Sequence, residues 1–382
     1  MNVISAKKPP RRVEQDYERR FSMQRYGMDN LYPQNLSAIV GASGTATLCL
    51  GRYAKFIEGF GFTNVELSGI KVNRLGQTMD DLLSLVADDV ARYGGFALHV
   101  NYNVLGEVAE VQHIPFEMCR LEETDDSGYV AHILLHPDWQ GKITRNGEQV
   151  RVEDKNIRRL NVFNPDTALE QMEAAGSAAQ YEGQVLWCSM DGPWQYPTPI
   201  YDACVTEIST DEGLGNVKYR NVRNNFLVSC MLVMKKGMPK IDEDGNEEDR
   251  QMISDEDLKA FQGDEKLGKI LCVELENDED KPEVVAFPSR NFDKEFTATD
   301  ESVVERIYAQ FHQEIFYTIR IGKMGFSGSV MQDAYEYYAG EVTTEQRFIE
   351  RRFEMVFARW AGGPLSDFAI QPQKYIRTEA GE

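Results

Sequence analysis

Cysteine and histidine are sparse in this sequence, with six and five among 382 residues. Its six cysteines are Cys49, Cys119, Cys188, Cys204, Cys230 and Cys272. No two of them form a C-x-x-C pair, and dispersed cysteines are usually small core residues. His132 and His136 are spaced i, i+4, but they flank an apolar run and precede Pro137, which is typical of a strand end. We therefore expect no metal and no other cofactor.

Long apolar runs are missing too. The longest strong one covers about residues 227–234, well short of the roughly 18 apolar residues that cross a bilayer. The N-terminal residues, MNVISAKKPPRR, have no apolar segment after their charges and do not resemble a secretory signal. We expect a cytoplasmic origin and no membrane contact.

Patterns of nucleotide binding and catalysis are absent as well. The segment from Gly41 to Thr45 lacks the lysine of a P-loop, and Gly322-Lys323 is followed by Met324 instead of Ser or Thr. No G-x-S-x-G or H-E-x-x-H sequence occurs. Catalysis is therefore not predicted, although an active site assembled from distant residues would leave no such pattern.

An acidic stretch, IDEDGNEEDR from residue 241, has the carboxylates of a calcium loop without its spacing. Counted from Asp242, the glycine falls at the fourth position instead of the sixth, and the twelfth residue is Ile253 instead of Glu. The sequence excludes an EF-hand and leaves open whether the stretch binds ions weakly.

The net charge is −21, whereas a protein that grips DNA phosphates is expected to be basic. Such a chain either never meets DNA or lets it slide past without sticking. Residues 241–300 contain 20 acidic and 7 basic residues, a net of −13. This concentration is typical of solvated loops and also of a docking surface for a basic partner.

Residues 1–195 predict an α+β body after an irregular, partly basic stretch of 45 residues. Helices are indicated at about 45–58 and from Thr78, where Asp81 suggests a capping box, to Gly94-Gly95. The predicted strands lie at 96–102, 108–114, 129–135, 143–152 and 184–188.

Two long helices are predicted to enclose the acidic segment. The first covers about 200–224, after the proline-rich joint WQYPTP. The second runs from Thr297 to about Ile319 with one continuous apolar stripe. Strands are predicted between them at 227–235 and 269–275.

The last third is predicted to end in one long helix. It follows a glycine-rich break at 321–328, begins at Ser329 with Gln332 in a capping box, and runs towards Trp360 with a kink at Gly340.

The order and spacing of these pieces resemble the portal proteins of tailed bacteriophages, the head–tail connector portal family, over about residues 36–360. The early likeness lies in FIEGFGF at 56–62 and in YGGFALHV at 93–100 with its hairpin. YPTPIY at 196–201 resembles the joint that opens the first stem helix, and the helix through 314–316 is similar to the second stem helix. The glycine-rich break and the helix with Arg347, Glu350 and Arg351 resemble the tunnel loop and the kinked wing helix.

The resemblance implies an α+β, portal-like fold with a wing body, a two-helix stem, a small α/β clip insertion and a long kinked C-terminal helix. The implied regions are an irregular N-terminal arm (1–45), the wing body (46–199), the first stem helix (200–226), the clip (227–292), the second stem helix (293–319), the tunnel loop (320–328), the wing helix (329–361) and a short C-terminal tail (362–382). Little sequence remains for a C-terminal crown.

The resemblance also implies a function without catalysis: a ring of identical subunits, twelve in the family, at one capsid vertex of the virion, assembled in the host cytoplasm. Double-stranded DNA would pass through it during packaging and ejection. The other implied partners are the terminase large subunit, the major capsid protein and the head–tail adaptor. The DNA-facing loop residues would be Arg320, Lys323, Met324 and Phe326. The docking residues would be Asp242, Glu243, Asp244, Glu247 and Glu248.

Two alternatives stay open on the sequence. A different head–tail adaptor or a tail-completion protein would share the acidity and the lack of catalytic patterns, but not the insertion between two long helices. The other alternative is a cytoplasmic enzyme whose active site is assembled from residues far apart in the sequence. Helix C-terminal capping is an equally good explanation for Arg320 and Lys323.

Overall fold

A computed structural model describes residues 17–142, 144–145, 148–149, 152–223, 231–235, 240–241, 247–248, 271–275, 292–325 and 327–376. The chain divides into two compact units. The first comprises Met1–Asp211 and Glu301–Glu382, and the second is Glu212–Asp300. None of the described helices is long and apolar enough to cross a membrane.

The first unit begins with a small hairpin, β1 (Tyr17–Glu18) and β2 (Met23–Gln24), and then helix α1 (Tyr32–Ala42). The prediction that residues 1–45 are irregular is therefore wrong for the described part, from residue 17 onward. Pro33 lies at the start of α1, where its fixed φ suits a helix and its missing N–H costs nothing. Leu36 and Val40 are buried four residues apart on one face of the helix, a pattern obscured in the sequence by the polar residues around them.

Three further helices follow: α2 (Gly44–Glu58), α3 (Val65–Ser68) and α4 (Met79–Tyr93). The Ser43 hydroxyl caps α2 by accepting from the Ala46 N–H at 3.0 Å. At the start of α4, the Thr78 and Asp81 side chains cap each other's backbone N–H groups, which confirms the predicted capping box. Gly94, at φ 79°, ends α4 in the left-handed region.

A six-stranded sheet forms the centre of the first unit. Its strands, in the order β4-β3-β10-β9-β6-β5, are β3 (Gly95–Tyr102), β4 (Val108–Ile114), β5 (Cys119–Leu121), β6 (His132–Leu135), β9 (Arg158–Val162) and β10 (Gln184–Ser189). Only β9 and β10 pair in parallel. The hairpin β7 (Thr144–Arg145) and β8 (Glu148–Gln149) and the short helix α5 (Ala168–Ala174) lie between these strands in the chain. Helix α4 packs on β3 and β4, and Leu98 and Val100 are fully buried there.

The second unit contains the end of helix α6 (Val205–Arg223) and the beginning of helix α7 (Phe292–Gln310). Strands β11 (Met231–Lys235) and β14 (Leu271–Leu275) pair in parallel, within the two segments predicted as strands. Strands β12 (Lys240–Ile241) and β13 (Glu247–Glu248) pair antiparallel.

Three helices complete the first unit: α8 (Glu314–Arg320), α9 (Gly328–Glu341) and α10 (Thr343–Phe357). The prediction of one helix from Ser329 to near Trp360 is wrong, because the helix breaks at Val342 and not at Gly340. The Thr343 hydroxyl donates to the Gly340 carbonyl oxygen at 2.8 Å and so competes with the helical N–H donors. The N-cap is also Ser327 instead of Ser329, since the Ser327 hydroxyl accepts from the Val330 N–H at 3.3 Å.

Candidate functional site

Helices α6 and α7 lie side by side in the first unit. The Tyr201 and Phe311 rings stack with centroids 5.4 Å apart, and the Gln310 amide donates to the Ile200 carbonyl oxygen. Further along, Arg306 Nη1 lies 3.3 Å from Glu207 Oε1. The two contacts follow opposite directions along the two chain segments, so the helices are antiparallel. The two helices therefore stand together within this unit.

Apolar burial holds this pair together more than charge does. Tyr201, Ile208, Ile307 and Phe311 are all at most 1% exposed, and burying a side chain of that size contributes roughly 1.5–3 kcal/mol. The Arg306–Glu207 ion pair joins a largely exposed guanidinium to a partly buried carboxylate, an arrangement worth about 0–1 kcal/mol. In the second unit, Lys218 and Asp300 form a similar pair between the same two helices, with 2.7 Å between Nζ and Oδ2.

The predicted continuous helix from Thr297 to Ile319 is wrong, because it breaks at residues 311–313. His312 has φ 55°, which no helical residue adopts. The break changes which side chains face inward: Phe316 is buried, whereas Ile315 and Ile319, on the predicted stripe, are only half-buried. The periodicity argument assumes an unbroken helix, so it extended the apolar stripe of α7 past the break into residues 314–319.

A buried glutamine follows the break. Gln313 is 0% exposed. Its Nε2 donates to the Cys49 carbonyl oxygen at 2.8 Å and to the Tyr338 hydroxyl at 2.9 Å, and its Oε1 accepts from Arg52 Nη1 at 3.0 Å. Burial raises the pKa of Tyr338, so its hydroxyl stays protonated and donates to the Phe311 carbonyl oxygen at 2.9 Å.

Helix α8 packs through Phe316 into an aromatic cluster. The Arg52 guanidinium lies 4.4 Å from the centroid of the Phe316 ring, within the range of a cation–π contact. The rings of Phe56, Tyr335 and Tyr338 surround Phe316 at centroid distances between 5.6 and 6.1 Å. Helix α8 is therefore fixed to α2 and α9 along one face.

Helix α8 ends in a Schellman turn, which we call the loop turn (residues 320–324). The Lys323 N–H donates to the Thr318 carbonyl oxygen at 3.1 Å, and the Gly322 N–H donates to the Ile319 carbonyl oxygen at 3.1 Å. Gly322 has φ 74°, the left-handed conformation that this turn requires. Gly322 is thus an ordered helix cap, and the backbone position of Lys323 follows from the direction of α8.

The predicted loop residues lie together in this turn but in different environments. Arg320 Nη1 donates to the buried Tyr308 hydroxyl at 3.0 Å, and this hydrogen bond raises the Arg320 pKa. The side chains of Arg320, Lys323 and Met324 are all exposed. Within the described part of the chain, Lys323 takes part in no ion pair. Phe326 lies outside the described residues.

Two carboxylates of α7 lie near Tyr317 on α8. Glu301 and Glu305 are exposed on α7. Burial is the largest influence that raises the pKa of Tyr317 on α8, and the charges of Glu305 and Glu301 raise it further. We call this surface of α7 the acidic face (Glu301 and Glu305); its negative charges repel anions near α8.

The predicted docking residues are only partly described. Asp242, Glu243 and Asp244 lie outside the described residues, and Glu247 and Glu248 are described by backbone alone, as strand β13. Among the described residues, no group of three His, Cys, Asp or Glu side chains is placed to hold a metal ion.

Sequence reasoning did not identify the Gln313 junction. Its partners are between 25 and 264 residues away in the chain, and pairing over such separations leaves no local pattern. The available signal was weak: Gln313 is the middle one of three consecutive polar residues between Phe311 and Ile315.

The α+β body and the antiparallel helices that flank the inserted unit in the chain define the fold of this protein. Its fold is shared with chains of the gene transfer agent neck. In the neck of the empty particle computed with C6 symmetry, the similar chain is 11% identical with a TM-score of 0.50, over 91% of this chain and 85% of that one. In the neck of the native particle computed with C12 symmetry, the similar chain is also 11% identical with a TM-score of 0.50, over 95% of this chain and 86% of that one.

An HK97-family phage portal protein from Corynebacterium diphtheriae also matches, at 10% identity and a TM-score of 0.33, over 84% of this chain and 88% of its own. No family model and no curated protein matches. At these identities the likeness defines the fold and not the activity. The predicted portal-like fold of the α+β class is thereby confirmed.

Proposed function

We propose that this chain is the subunit of a portal ring, a non-enzymatic connector at one capsid vertex of a phage-type particle. The observation that carries the proposal is the antiparallel pair α6–α7, through which the chain leaves the first unit and returns to it. The fold shared with a neck computed with C12 symmetry supports a ring, and we propose twelve copies.

Double-stranded DNA passes through this ring during packaging and ejection. A channel that lets DNA slide must avoid many Lys and Arg contacts, because each phosphate neutralised adds affinity. The net charge of −21 and the acidic face on α7 meet this requirement. Their repulsion acts over about 10 Å at ordinary ionic strength, so it centres the DNA only where the wall is close.

The loop turn supplies the sparse cations of the channel. Lys323 is exposed at the end of α8, and Met324 lies beside it. One lysine per subunit in an acidic wall gives weak, exchangeable phosphate contacts instead of a tight grip. Arg320 and Phe326 complete the proposed tunnel loop.

The second unit serves as the clip. Glu212–Asp300 encloses residues 227–292, which the resemblance assigns to that role. We assign Asp242, Glu243, Asp244, Glu247 and Glu248 to the docking of the terminase large subunit and later of the head–tail adaptor. The major capsid protein surrounds the ring in the virion, and assembly takes place in the host cytoplasm.

Electron microscopy of the purified full chain in negative stain tests the proposal, together with native mass spectrometry. We expect rings with a central hole and a single mass that is a multiple of the 43.5 kDa subunit. A monodisperse monomer at all protein concentrations and salt conditions would contradict the proposal.

A further inference from the structure

The junction between α7 and α8 holds an unfavourable backbone conformation. The Gln313 N–H reaches back five residues to the Tyr308 carbonyl oxygen at 2.8 Å, and the His312 N–H reaches back three, to Ala309, at 2.9 Å. His312 lies in the left-handed region, which a residue other than glycine keeps only where its surroundings fix it. The side chain of His312 is exposed, with Nδ1 3.3 Å from Glu341 Oε2, so packing of this side chain does not hold the backbone in place.

The Gln313 side chain supplies that constraint. A primary amide has two donor hydrogens and an acceptor oxygen, and all are used here on α2 and α9: Cys49 carbonyl, Tyr338 hydroxyl and Arg52 guanidinium. Tyr338 in turn donates to the Phe311 carbonyl oxygen, on the other side of His312. The chain is therefore held on both sides of the left-handed residue.

The direction of α8 determines where the loop turn is. The turn is bonded to the last turn of α8 through the Thr318 and Ile319 carbonyl oxygens. The Arg52 guanidinium, which donates to Gln313, also lies over the Phe316 ring. A second hydrogen bond, from Arg320 to the Tyr308 hydroxyl, joins α8 to α7. It is more exposed to water than the buried hydrogen bonds of Gln313 and therefore weaker.

We propose that Gln313 is the positioning residue of the loop turn: its buried amide fixes α8, and through it Lys323, relative to α2 and α9. The effect of this positioning on DNA passage rests on the proposed function, whereas the positioning itself is a property of the single chain. A change at this junction then alters how Lys323 is presented without changing any residue of the turn.

Hydrogen–deuterium exchange of the full chain tests this with Gln313→Leu. We expect the α8 amides to exchange about tenfold faster or more, the change that corresponds to losing one buried hydrogen bond net. The amides of α4 and β3 keep their wild-type rates. Gln313→Glu keeps the acceptor for Arg52 and loses both donors, so it is expected to give a smaller acceleration, and it carries the test if the Leu variant does not fold.

Gln310→Leu is the matched control. Gln310 lies three residues earlier near the end of α7, and its amide donates to the Ile200 carbonyl oxygen instead of across the break. We expect wild-type exchange in α8 for this variant. Spin labels at Met324→Cys and Thr344→Cys, both exposed positions of the first unit, provide a second readout: the distance distribution broadens with Gln313→Leu and not with Gln310→Leu.

Unchanged α8 exchange and an unchanged distance distribution in both Gln313 variants would overturn the inference. So would an equal acceleration in α4 and β3, because Gln313 would then be a general stabilising residue. Both readouts come from single chains, so a wild-type protein that forms no rings would end the proposed function and leave this test intact.

Discussion

Arg320 Nη1 donates to the Tyr308 hydroxyl at 3.0 Å, and the guanidinium carbon lies 5.9 Å from the centroid of the same ring. Tyr308 is buried in α7, and Arg320 is the last residue of α8. A cation at this end of a helix also interacts favourably with its dipole. One donor of the exposed Arg320 side chain is therefore engaged within the chain, whereas Lys323 takes part in no ion pair among the described residues.

Arg320→Met tests this division of roles, because Met keeps an unbranched apolar stem and removes the donor. We expect a loss of at most about 1 kcal/mol in the free energy of unfolding, since the bond is accessible to water. Urea unfolding measures it. With rings intact, DNA packaging should stay near the wild-type level, and a loss as large as that of Lys323→Ala would show that Arg320 reaches DNA.

Lys323→Ala should leave ring assembly intact and alter DNA packaging, because it removes an exposed cation of the turn. The slope of the logarithm of DNA affinity against the logarithm of salt concentration should weaken by about 0.9 for each phosphate that the lysine no longer neutralises. A packaging assay at several salt concentrations measures the consequence for yield. Lys323→Arg keeps the charge and is the control, expected to behave as wild type. Unchanged yield and salt dependence in Lys323→Ala would remove this residue from the mechanism.

Gly322→Ala should destabilise the loop turn by about 1 kcal/mol, because Gly322 is at φ 74° and a Cβ is unfavourable there. Gly325→Ala is the matched control three residues away: nothing lies within 4 Å of an added Cβ, and its φ is not in the left-handed region. It should change the free energy of unfolding by less than about 0.5 kcal/mol. Equal effects of the two substitutions in chemical denaturation would argue against the Schellman turn.

Local chemistry made much of this fold predictable. Thr78 and Asp81 lie three residues apart and cap α4, and Gly94 ends that helix, so the signal and the structure occupy the same few residues. The hairpin β3–β4 follows in the same way from alternation and a turn at Gly106.

The remaining features depend on contacts between distant parts of the chain. Helix α1 was missed because its apolar face is short and begins at a Tyr-Pro pair. The break at His312 was missed because Phe311, Ile315 and Ile319 continue a helical period that the structure does not follow. What overrides the period is Gln313, whose Arg52 and Cys49 partners lie 261 and 264 residues earlier.

Neutralising Asp242, Glu243 and Asp244, to Asn, Gln and Asn, should weaken docking of the packaging motor. Residues 241–300 hold a net charge of −13, and removing three carboxylates from such a surface lowers its attraction for a basic partner, chiefly through the association rate. A pull-down of the terminase large subunit at several salt concentrations measures the effect, with the largest difference at low salt. The matched control neutralises three exposed acids of the first unit, Asp126, Glu170 and Glu173, and has the same net charge. Reduced recovery with both triple variants would assign the effect to total charge, and unchanged recovery with the first would remove these carboxylates from the docking surface.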